Sequence, residues 1–70
     1  MYNLRETLVK ATRSHLQGHL DKHLANIEVL LTRPAGIGEH QDIMEAIEIE
    51  LEEASKYEDM LEILENYIDE

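Results

Sequence analysis

Three histidines recur at intervals of four in the run His15-Leu16-Gln17-Gly18-His19-Leu20-Asp21-Lys22-His23. Residues four apart share a helix face, and a histidine pair at that spacing can hold a divalent transition metal. Glu50 and Glu53, in the other half of the chain, can add a carboxylate ligand. Two points weigh against a metal centre. Successive steps of four drift by about 40°, so three such histidines do not converge on one ion. The paired Glu-x-x-His pattern of di-metal helical bundles is also missing. His19, His23 and Glu50 are therefore secondary metal candidates. The favoured reading is one interfacial histidine, His23, and two partly exposed ones, with no cofactor.

Glu50 with His23 also has the chemistry of an acid–base pair. Catalysis needs in addition a cleft and a substrate-orienting group, which two packed helices scarcely offer. A buried polar layer that fixes helix register explains the pair more simply. Gly36-Ile37-Gly38 ahead of a helix suggests an anion site. It lacks the preceding strand of a dinucleotide fold and the Lys-Ser/Thr of a phosphate loop, so a tight turn accounts for it. No catalytic residue is expected, and the chain does not read as an enzyme.

The elements that must position these residues are two long helices. Asn3 is a suitable N-cap, with Glu6 three places on as in a capping box. Mostly good helix formers follow, with Gly18 an isolated weak point. Pro34 disfavours helical geometry at Arg33. The pattern predicts a first helix over about 3–32, a loop over about 33–38 and a second helix over about 39–68, with Glu39 and Asp42 in its first turn. Residues 1–70 thus form a single all-α antiparallel hairpin.

Ile43, Ile47, Glu50, Ala54, Tyr57, Leu61, Leu64 and Ile68 alternate in steps of four and three, the pattern of a coiled-coil seam. Val9, Arg13, Leu16, Leu20, His23, Ile27 and Leu30 repeat it on the first helix. Folding the chain back at Gly36 pairs residues whose numbers add to 73 or 74. Leu30 then faces Ile43, Ile27 faces Ile47, Leu20 faces Ala54, Leu16 faces Tyr57 and Val9 faces Leu64. Three seam members are polar, Arg13, His23 and Glu50, and of these His23 and Glu50 fall opposite each other. A second row, Ile49, Met60, Ile63 and Tyr67, is left outside this seam. Apolar rows of that size mark an interface, and two hairpins closing into a four-helix bundle would cover it.

Charge divides the chain. Residues 1–33 carry five basic and three acidic side chains, whereas residues 39–70 carry one basic and thirteen acidic. Repulsion on the second half disfavours nucleic acid and anionic membranes. The longest aliphatic run is Val29-Leu30-Leu31, too short for a membrane span. Cysteine is absent, which fits a reducing compartment. With no apolar stretch after a basic start, the chain is expected to be a complete cytoplasmic protein.

The run GIGEHQDIMEAIEIELEEASKYEDMLEILENYIDE, preceded by SHLQGHLDKHLANIEVLL, resembles small uncharacterised proteins of marine tailed phages, the cyanophage type especially. The resemblance implies an origin, with action in the cytoplasm of an infected bacterium or in a virion. It implies no mechanism and no site residue. Three functions follow as expectations. The first is a non-enzymatic, self-associating interaction module, a homodimer. The second is an acidic inhibitor or nucleic-acid mimic that binds a basic host or phage protein. The third is a divalent-metal-binding bundle.

Overall fold

The structure, a computed structural model, describes residues 3–32 and 42–68. Helix α1 spans Leu4–Thr32 and helix α2 spans Ile43–Ile63, extended by a wider turn over Leu64–Ile68. Among the described residues only Asn3 and Asp42 lie outside a helix, and each stands at a helix start. The two helices pack against each other along their length, giving a rod of 56 × 20 × 15 Å.

Local chemistry sets each boundary. The Asn3 side-chain oxygen accepts the Glu6 N–H at 3.0 Å, and the Asn3 carbonyl accepts the Thr7 N–H at 3.0 Å. One otherwise orphaned donor of the first turn is thereby satisfied by a side chain. Helix α1 runs through Gly18 without a break, since one isolated glycine costs only about 1 kcal/mol against alanine. The start of α2 differs from the expected one. Asp42 belongs outside the helix, at φ −79° and ψ 106°, and its carboxylate accepts the Glu45 N–H at 3.1 Å. An aspartate serves a helix better as its cap than within its first turn. The loop over 33–38 and the expected first residues 39–41 of the second helix lie outside the described residues.

The seam holds the least exposed side chains. Leu20, His23 and Ala54 are buried, and the other seam residues of both helices are half-buried, with one exception. Ile68, expected in the seam, is 42% exposed. The wide turn over Leu64–Ile68 advances fewer degrees per residue than an α-helix, so it rotates Ile68 out of line. Arg5 crosses the open end of the hairpin, its guanidinium donating to the Ile68 carbonyl. A cation at the negative pole of a helix is stabilising.

Because the Asp42 cap is local and exposed, Asp42→Ala should cost about 1 kcal/mol. Thermal unfolding should show a lower Tm without loss of helix content well below the transition. An unchanged Tm would mean that Asp42 does not cap α2.

Candidate functional site

Helix α1 presents His23 to the seam at the level where α2 presents Glu50. The His23 Nδ1 and the Glu50 Oε1 lie 2.7 Å apart. Asn26, one turn on from His23, donates from Nδ2 to the same oxygen at 3.1 Å. The His23 side chain is 11% exposed and that of Glu50 21%. An ionised carboxylate only accepts hydrogen bonds, so Nδ1 carries the proton. The hydrogen bonds from His23 and Asn26 hold the Glu50 carboxyl below its ordinary range, against the opposing effect of burial. No buried polar side-chain atom among the described residues lacks a partner.

A second aromatic cluster adjoins this layer. The Tyr57 ring stacks on His19 with centroids 4.6 Å apart, and lies nearly parallel to His23 at 5.8 Å. His15 meets His19 edge-on at 4.6 Å. Desolvation holds the His19 imidazole below its ordinary value, and the charges of His15, Lys22 and His23 add to that effect. Ser14, His15, Gly18, His19 and Lys22 line a shallow groove open to solvent.

The metal candidates do not converge, although both histidines border Tyr57. His23 is engaged by Glu50, whereas His19 lies on Tyr57. Among the described residues, no group of three or more His, Cys, Asp or Glu side chains is placed to hold one ion. Asn26 and the Tyr57 stack were not foreseen. Asn26 had a legible signal, since it stands three residues after His23 and so shares its face. The stack had none, because it depends on side-chain rotamers.

The outer row stands open. Ile49 and Ile63 are each 55% exposed, Tyr67 is 74% and Met60 39%. Lys56 sits within this row, 3.1 Å from Glu53 and 5.6 Å above the Tyr57 ring. The hydrogen bond and charge of Glu53 raise its pKa. No helix among the described residues is long and apolar enough to cross a membrane.

Two outcomes follow. Replacing either His23 or Glu50 with Leu should cost about 1–3 kcal/mol, because each change strands a polar partner. Replacing both should cost less than the two single changes together, as a double-mutant cycle on thermal unfolding would show. Strict additivity would mean that the two do not interact. The second outcome concerns pH. His19 is depressed in the fold, so stability falls as pH drops below about 6.5 and the unfolded chain takes up the proton. Glu50 is also depressed; its contribution is complete above about 4.5 and is lost as pH falls further. Tm measured from pH 8 to 3 should decline through both windows, and His19→Gln should weaken the upper one. A Tm as steep in that window for the variant would exclude His19.

No family model, curated protein or solved structure matches the chain, so no relative assigns a role to these side chains.

Proposed function

We propose that this chain is a non-enzymatic interaction module whose hairpin self-associates into a four-helix bundle. The carrying observation is the open apolar row on α2, in which Ile49 and Ile63 are each 55% exposed and Tyr67 74%. Only three described residues are buried, and one of them is a histidine. A lone hairpin with so little core needs a partner for its stability, and the row of Ile49, Met60, Ile63 and Tyr67 supplies the surface. A phage origin and a place in the cytoplasm of an infected cell or in a virion belong to the same proposal, carried by the resemblance alone.

A second reading draws on α2 itself. Glu48, Glu52, Glu58, Asp59, Glu62 and Glu65 are all exposed. Such a surface suits a basic protein partner, and capture of that partner would weaken as salt rises.

Light scattering on the purified chain tests self-association. A dimer is expected at micromolar concentration. Ile63→Glu should shift it toward monomer, whereas Glu62→Gln should leave it nearly unchanged. Equal effects of the two changes, or a monomer at high micromolar concentration, would remove the proposal.

A further inference from the structure

Resting on the self-association above, we propose how the second copy docks: α1 of each chain lies on α2 of the other, with the two-fold axis parallel to the helices. The first support is a second heptad row on α1. Leu4, Leu8, Ala11, His15, Gly18 and Lys22 alternate in steps of four and three, and all are exposed. At about 100° per residue, this row lies roughly 140° from the α1 seam, and the Ile49–Tyr67 row lies roughly 100° from the α2 seam in the same rotational sense. Antiparallel helices turn that shared sense into a shared side of the hairpin. Contacts across that side agree: His15 touches His19, His19 stacks on Tyr57, and Lys56 lies above Tyr57. The two rows therefore make one continuous face.

Two copies can bring such faces together in two ways. An axis across the helices lays α1 on α1 and α2 on α2. That sets the half with thirteen acidic side chains and one basic against its own copy. Packed helices are about 8–10 Å apart, close to the screening length at physiological salt, so the repulsion persists. An axis along the helices sets the weakly basic α1 half on the acidic α2 half, twice over.

Shape supports the same choice. An axis along the helices keeps every residue at its level, so the register of the hairpin carries over to the contact between chains. Ala11 then faces the partner's Ile63, Gly18 faces the partner's Lys56 and Lys22 lies within one residue of the level of the partner's Glu53. Small residues of α1 meet long ones of α2. A Cβ at Gly18 would find no atom within 4 Å, which leaves room for the Lys56 stem.

The chain has no cysteine, so introduced ones report directly. Ala11→Cys and Ile63→Cys chains, mixed and oxidised, should give a disulfide between the two different chains, while neither forms a covalent dimer alone. Lys22→Glu, an exposed change, should weaken association several-fold in light scattering. A covalent dimer of Gly18→Cys chains would signal α1 on α1 and overturn the arrangement while leaving self-association intact. A dimer that gives no Ala11–Ile63 cross-link, or that Lys22→Glu leaves unchanged or tightens, would overturn it too. A monomer in light scattering of the unaltered chain removes both the arrangement and the function it rests on.

Discussion

The bond between His23 and Glu50 decides how far the two helices can slide past each other. Apolar seams are tolerant of slippage, since one aliphatic contact replaces another at little cost. A carboxylate half-buried between helices is not, because it needs its donors at one level. His23 and Asn26 supply two donors to a single oxygen. Shifting α2 by one turn would leave Glu50 without either and place an apolar side chain beside His23. The placement of Leu20 and Ala54 next to this layer follows from it, as does the reach of Arg5 to Ile68 at the far end.

Much of this was legible in the sequence because its main pattern is redundant. Seven positions on α1 and eight on α2 repeat the same spacing, so no single residue had to be read correctly for the hairpin to emerge. The layer at His23 and Glu50 was legible for a different reason, since two of the three polar exceptions in the seams, Arg13 being the third, fall at matching levels. The start of α2 was misplaced by weighing Glu39 and Asp42 as charges near a dipole. The stronger signal was Asp42 with Glu45 three places on, which is a capping box. The turn at Leu64–Ile68 had no signal of its own, as no Gly or Pro marks it. The Tyr57 stack depends on rotamers, which spacing does not encode.

Segregation of charge between the halves acts within the hairpin and would act again in the proposed dimer. Within the hairpin it draws α1 toward α2. On the open face it leaves a row with Lys22 and His15 beside a row flanked by carboxylates, so the surface is complementary to its own rotated image. Neither the hairpin nor the proposed dimer requires many discrete ion pairs, which matters because exposed pairs contribute little individually. What acts is the summed field of two unlike helices.

The clasp of Arg5 on Ile68 gives the rod a polarity. Leu4 and Ile68 lie at one pole, and Thr32 and Ile43 at the other. The proposed bundle, with its axis along the helices, would keep that sense and gather the Leu4 and Ile68 ends of both chains at a single cap. Such an assembly would be vectorial, its two poles built from different helix ends.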